Sequence, residues 1–240
     1  MITYEYPFSE RIRTLLRLED IFDKADYFVR KRTPREHHAA LMAIFEIFEV
    51  AGRADLKMDL LQELKRQRQS LLNCRNEPGA SEDILRGALY EIEQASAAIL
   101  GMVGKIGQHL RENEWLMGIK SRAVIPGGVC EFDLPSYHYW RCLTTEKRRE
   151  SLGGWLEPFL PLKAGIAIVL RLLRQSGEAL HQVARGGLFQ MTPSGSAPQM
   201  VRVSLKPDLP LVPEVSANKY VINIRFVHPD KGHHAGEQET

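Results

Sequence analysis

Apolar side chains recur at three- and four-residue intervals through the first two-thirds of the chain, the signature of amphipathic helices. Ser9 is placed to cap a first helix that carries Ile12, Leu15, Leu16 and Phe22 on one face. Thr33-Pro34-Arg35-Glu36 spells a second helix start, with Thr33 at the cap, Pro34 in the first turn and Glu36 able to close a capping box. That helix carries Leu41, Phe45 and Phe48, and Gly52 is placed to end it. A third is expected from Asp55 to Asn73, with Leu56, Leu60, Leu61, Leu64, Leu71 and Leu72 as its stripe and Lys65, Arg66 and Arg68 on the other face. Asn76-Glu77-Pro78-Gly79 breaks the pattern. A fourth helix then starts at Ser81 and runs through Ile84, Ala88, Ile92 and Ile99 toward Gly104. Four long amphipathic segments with short breaks describe a helical bundle.

Further on the pattern loosens. Residues 106–122 read as one more helix, although Gly107 and Gly118 weaken it. Pro126-Gly127-Gly128 stops it, Val129 to Phe132 reads as a short strand, and Leu134-Pro135 restarts helix. Thr144 or Thr145 is placed to cap a segment reaching Trp155, and Leu162 to Ser176 reads as a largely buried helix stopped by Gly177. The last quarter changes period. Gly187 to Met191, Met200 to Leu205 and Tyr220 to Val227 read as strands, the last by clean alternation of Tyr220, Ile222, Ile224 and Phe226. Residues 193–198 read as a turn, and Pro207, Pro210 and Pro213 as breaks. The expected class is α+β, predominantly α: a helical bundle with a small antiparallel β-sheet. The expected domains are 1–178, mainly helical with a strand near 129–132 joining the sheet, and 179–228, of β-strands. Residues 229–240 form an expected disordered tail.

Composition narrows the function classes. Of 240 residues, 44% are hydrophobic and 26% charged, which excludes wholesale disorder and collagen-like repetition. Lys and Arg number 32 against 30 Asp and Glu, a net +2, which argues against a protein living on sequence-independent nucleic-acid binding. Cys74, Cys130 and Cys142 are odd in number and widely spaced, fitting a reducing cytosol. The start, MITYEYPF, lacks the charged and apolar regions of a secretory signal, and the apolar run Ala164 to Leu170 is too short for a bilayer. The expectation is a soluble cytoplasmic protein without a membrane segment.

Candidate chemistry is sparse. Cys130, Asp133 and His138 supply a thiol, a carboxylate and an imidazole, the parts of an activated nucleophile, but without a known nucleophile signature. The alternative places Cys130 in the strand and Asp133 as a cap on the helix after it. Neither His37-His38 nor His233-His234 has zinc-site spacing, and no P-loop or dinucleotide fingerprint occurs. No metal, cofactor or catalytic activity is therefore expected. On the first helix Arg13, Arg17 and Lys24 align beside the apolar stripe, a solvated face or a partner surface, while Glu19 falls inside the apolar arc, where a structural ion pair or a partner-binding role fits it. A helix through 111–122 would align Arg111, Trp115, Ile119 and Arg122. Two roles fit Trp115 there, an interaction hot spot or a core residue with the arginines reaching out to water. A nucleic-acid reading would use Arg13, Arg17, Lys65, Arg66 and Arg68.

Three stretches together resemble the ZapD family of bacterial cell-division proteins. They are Tyr4-Glu5-Tyr6-Pro7 leading into Ser9–Glu19, Ile106–Glu112, and Ile125–Trp140. The last is the most specific, with Pro126-Gly127-Gly128, Cys130, Phe132-Asp133-Leu134-Pro135, His138 and Trp140 in order. Weaker similarity lies in Leu60–Leu64, Leu173–Ser176 and Arg225-Phe226, so the resemblance runs through nearly the whole chain.

That resemblance implies a non-enzymatic dimer, a helical domain with a smaller β-domain, that binds the carboxy-terminal peptide of FtsZ, the tubulin-like division GTPase. Two sites per homodimer would cross-link filaments into bundles and support the ring at midcell. Basic residues receive the peptide, and Arg17, Arg111 and His138 match family motifs. Where family members carry another basic residue, this chain has Asn113-Glu114-Trp115, which turns attention to Lys120 and Arg122. Arg13 and Trp115 complete the candidate set. His138 has a second reading as a hydrogen-bonded structural side chain beside Trp140.

Overall fold

The computed structural model describes residues 1–52, 55–73, 82–177, 179–192, 198–218 and 220–229. The chain divides into two compact units, Leu15–Leu172 and Met1–Thr14 with Leu173–Thr240. The first is built of helices; the second gathers the strands.

Helix α1 (Glu10–Val29) begins where Ser9 Oγ accepts the Ile12 amide at 3.2 Å. Its stripe rotates slightly from the sequence expectation: Ile12, Leu15, Leu18, Phe22 and Ala25 are buried, whereas Leu16 sits at the edge. Helix α2 (Pro34–Ala51) has the full capping box, with Thr33 accepting the Glu36 amide and the Glu36 side chain accepting the Thr33 amide. Its interior carries Ala40, Leu41, Ala43, Ile44, Phe45, Ile47 and Phe48, all buried, so it is apolar on most of its circumference and forms the centre of its unit.

Helices α3 (Leu56–Asn73) and α4 (Glu82–Leu100) follow. Leu56, Leu60 and Leu64 of α3 and Ile92, Ala95 and Ile99 of α4 are buried. Helix α9 (Leu160–Gln175) packs tightly on both, because a Cβ at Gly165 would stand 2.8 Å from Ile99 and 3.2 Å from Leu60. Glu63 rather than Glu19 is the buried carboxylate. One of its oxygens accepts from Arg66 Nη2 at 2.6 Å and Gln67 Nε2 at 3.1 Å, while Glu19 is half-buried.

Residues 106–122 do not make one helix. Helix α5 (Gln108–Arg111) ends at Glu112, and Asn113 caps a separate α6 (Glu114–Ala123) by accepting the Leu116 amide at 3.0 Å. Nor is 129–132 a strand. The amides of Gly128, Cys130 and Asp133 bond to carbonyls three residues back, so the segment closes on itself as successive turns and offers no ladder to a sheet. Leu134, not Asp133, caps α7 (Pro135–Cys142). Thr144 caps α8 (Thr145–Leu156) as expected, and a short 3₁₀ turn over Glu157–Phe159 leads into α9.

The strands pair antiparallel, in two sheets. β1 (Ile2–Pro7) pairs with β3 (Met200–Leu205), Ile2 opposite Leu205. β2 (Leu188–Met191), β5 (Ile222–Val227) and β4 (Val212–Ala217) form the other in the order β2-β5-β4. Pro213, expected to break the chain, lies inside β4, an edge strand where a missing amide costs no ladder bond on the open side. Glu5 of β1 accepts two 2.8 Å bonds from Arg174, which hold its carboxyl below the usual range.

A buried cation fixes the helical unit. Arg148 of α8 is 4% exposed and donates to His37 Nδ1 at 2.9 Å, Arg141 O at 3.0 Å, Arg32 O at 2.7 Å and Leu143 O. Because the guanidinium only donates, His37 Nδ1 is the acceptor, and its Nε2–H donates to Lys31 O at 2.9 Å. Burial, reinforced by Arg148, keeps the His37 imidazole neutral below its ordinary range, and burial lowers His38 likewise. An unfolded chain takes up these protons as pH drops through about 6.5, while the folded chain resists. Stability is therefore full above that pH and falls below it, by up to about 1.4 kcal/mol per pH unit for each imidazole. Urea midpoints measured between pH 7.5 and 5.5 will decline, and His37→Gln will flatten the decline. A pH-independent midpoint in the parent chain would contradict the arrangement.

Candidate partner surface

The last turn of α2 presents Phe48, whose ring two cations approach. Gly107, at φ 74°, lies against that ring so closely that a Cβ would stand 2.4 Å from Phe48 Cδ2. Only glycine lets α5 approach this far, and α5 then carries the Arg111 guanidinium to 5.5 Å from the ring centroid. From α6, Lys120 Nζ comes to 5.7 Å from the same centroid and pairs with Glu49. Each cation gains about 0.5–1 kcal/mol from such a ring at an exposed site. Arg111 is exposed and Lys120 half-buried, so Arg111 keeps its donors open to water.

Beside this seat lies an open cleft of about 350 Å³, bordered by Lys57, Met102, Val103, Lys105, His109 and Pro158. Gly107 is also in its wall, linking it to the Phe48 seat. Lys57 Nζ donates to Met102 O at 2.9 Å, which fixes the lip, while Val103 is 98% exposed. His109 holds α5 to α8 through a 2.9 Å contact between Nε2 and Trp155 O. Sequence reading missed Lys57, Lys105 and the Phe48 floor, because they lie on separate elements with no shared motif.

Trp115 is half-buried in an aromatic cluster. Its ring lies 5.7 Å from Trp155 and 6.3 Å from both Tyr137 and Trp140, and Nε1–H donates to Ser136 Oγ at 3.0 Å. Tyr137 stacks on Trp140 at 5.6 Å, and Tyr137 Oη lies 2.7 Å from His38 Nδ1. Burial pushes the Tyr137 phenol up and lowers His38, so the two share this hydrogen bond as a phenol and a neutral imidazole. Thus the break at Asn113 parts Arg111 from Trp115: one faces Phe48, the other the aromatic cluster.

Arg17 is exposed on α1. Arg13, also on α1, approaches Glu10 at 3.5 Å and the Tyr6 ring at 6.0 Å. Arg122 is exposed near the end of α6. His138 is exposed rather than buried beside Trp140, and contacts Glu131 and Cys142 instead of Cys130 and Asp133. Arg66 and Arg68 of the nucleic-acid reading are engaged by Glu63 and Glu93. Among the described residues no cluster of His, Cys, Asp and Glu is suited to a metal ion, and no helix is long and apolar enough to cross a membrane. Cys74, His233 and His234 lie outside the described residues.

Fold and surface together define a mainly helical α+β protein that sets paired cations on an aromatic floor, and the family model matching residues 16–225 supplies its class, a cell division protein. Similar proteins agree along almost their whole length. "Cell division protein ZapD" of Dechloromonas aromatica (strain RCB) is 66% identical over 232 residues, 97% of this chain and 92% of that protein. The protein of the same name from Azoarcus sp. (strain BH72) is 61% identical over 230 residues, 96% and 92%. That from Aromatoleum aromaticum (strain DSM 19018 / LMG 30748 / EbN1) is 60% identical over 227 residues, 95% and 89%. The chain belongs to the ZapD family.

The geometry separates packing from surface roles. Trp115→Ala will lower stability by about 2–4 kcal/mol, read as a fall in melting temperature with loss of near-ultraviolet circular dichroism. Arg111→Ala will stay within about 0.5 kcal/mol of the parent. Comparable losses from both would contradict this division.

Proposed function

We propose that this chain binds the carboxy-terminal peptide of FtsZ and, as a homodimer, cross-links FtsZ filaments into bundles at the midcell ring. The reading is supported above all by Arg111 and Lys120, which both approach the Phe48 ring beside a cleft that adds Lys57 and Lys105. An arginine fork suits peptide carboxylates, and Val103, Met102 and Pro158 suit an apolar neighbour in the peptide. Arg17 and His138 extend the proposed recognition set, with Arg13, Arg122 and Trp115 as its further members. The role is mechanical rather than catalytic. Two sites on one dimer multiply a modest single-site affinity by avidity, which is what bundling needs.

Co-sedimentation is the direct test. Full-length FtsZ will carry the protein into the pellet as bundles, and FtsZ lacking its terminal peptide will not. Equal pelleting of the two would remove the proposed binding mode. Arg111→Glu and Arg17→Glu will each weaken binding to the isolated peptide about ten-fold or more, with helical circular dichroism and dimer mass by sedimentation unchanged. Because the contact is charge-assisted, affinity will fall as salt rises.

A further inference from the structure

We propose that Cys142 is a modification site, a surface thiol that exchanges with low-molecular-weight disulfides while His138 takes its proton. Helix α7 sets the two side chains four residues apart on one face, with Cys142 Sγ 3.7 Å from His138 Nε2. On the other side of the ring, His138 Nδ1 lies 3.5 Å from Glu131 Oε2. Glu131 comes from the turns that precede α7, so carboxylate, imidazole and thiol stand in line. Such an order favours one tautomer, with Nδ1–H toward Glu131 and the Nε2 lone pair toward the thiol. The line is open to reagents: the side chains of His138 and Glu131 are 46% and 70% exposed, and Cys142 is an exposed free thiol.

Cys142 is the last residue of its helix, and His138, one turn back, is the base within reach of its thiol. In the exchange, the Sγ proton passes to Nε2 and the thiolate attacks one sulfur of the incoming disulfide. A new S–S bond to Cys142 forms as the old one breaks, and the departing thiolate recovers the proton from the imidazolium. Cys142 is oxidised and half of the reagent is reduced; excess small thiol reverses the step. His138 is shared with the proposed recognition set, but the exchange itself needs no bound partner and is read on the protein alone.

Cys130 supplies the comparison, since it too is free and exposed but makes no imidazole contact among the described residues. Full-length Cys74→Ser/Cys130→Ser and Cys74→Ser/Cys142→Ser proteins each leave one of the two thiols. Both would be treated with oxidised glutathione at about pH 7 and followed by intact mass. Cys142 will form its mixed disulfide at least about three-fold faster than Cys130. His138→Gln will bring Cys142 down to the Cys130 rate, and Glu131→Gln will slow it by a smaller factor. Equal rates for the two thiols, or a Cys142 rate untouched by His138→Gln in a folded protein, would overturn the proposal. Should His138→Gln fail to fold, an unchanged rate in Glu131→Gln would do the same.

Discussion

The helical unit depends on how one buried guanidinium is satisfied. Arg148 reaches across to the α1–α2 connection at Arg32, to the end of α7 at Arg141 and Leu143, and to the first turn of α2 at His37. Each buried acceptor left unmade would cost about 1–3 kcal/mol, so the group works only with all of them in place. Arg149, its neighbour, spends its donors on Val29, Arg30 and Lys31, the carbonyls left over where α1 ends. Two consecutive arginines thus tie four helices mainly through backbone carbonyls, with the His37 imidazole and the Thr145 hydroxyl as side-chain acceptors.

The surface inherits its geometry from that knot. With α2 fixed, Phe48 is held at its last turn, and Gly107 lets α5 settle against it. With α7 fixed, Tyr137 stacks under the tryptophans while His138 faces out on the same helix. The cations over Phe48 and the imidazole beside Cys142 are held by short helices, each anchored by one aromatic or capping contact.

Local signals were legible in the sequence wherever a few adjacent residues decide the outcome. Thr33 through Glu36 contain a whole capping box, and the alternation before Val227 contains a whole strand. What escaped depends on distant partners. β1 is recognisable only beside β3, almost the full chain away, and Pro213 fits a strand only because β4 lies at an edge. The break at Asn113 was readable in principle, since asparagine three residues before Leu116 is a cap, but a longer apolar period masked it. Val129 to Phe132 has strand-like composition, yet the glycines before it let the amides close locally first. Of the surface, Arg111 and Lys120 were legible as charges; that they share one ring was not.

The pairing of β1 with β3 sets a timetable for a chain made from its amino end. Ile2 leaves the ribosome long before Leu205, its partner, exists. At about 5–20 residues per second the interval is on the order of 10–40 s. For that time an apolar, ladder-competent strand waits unpaired while the helices of residues 15–172 assemble on their own contacts. The tyrosines and glutamate of β1 break up its hydrophobic run, a composition that keeps a nascent strand soluble until its partner arrives.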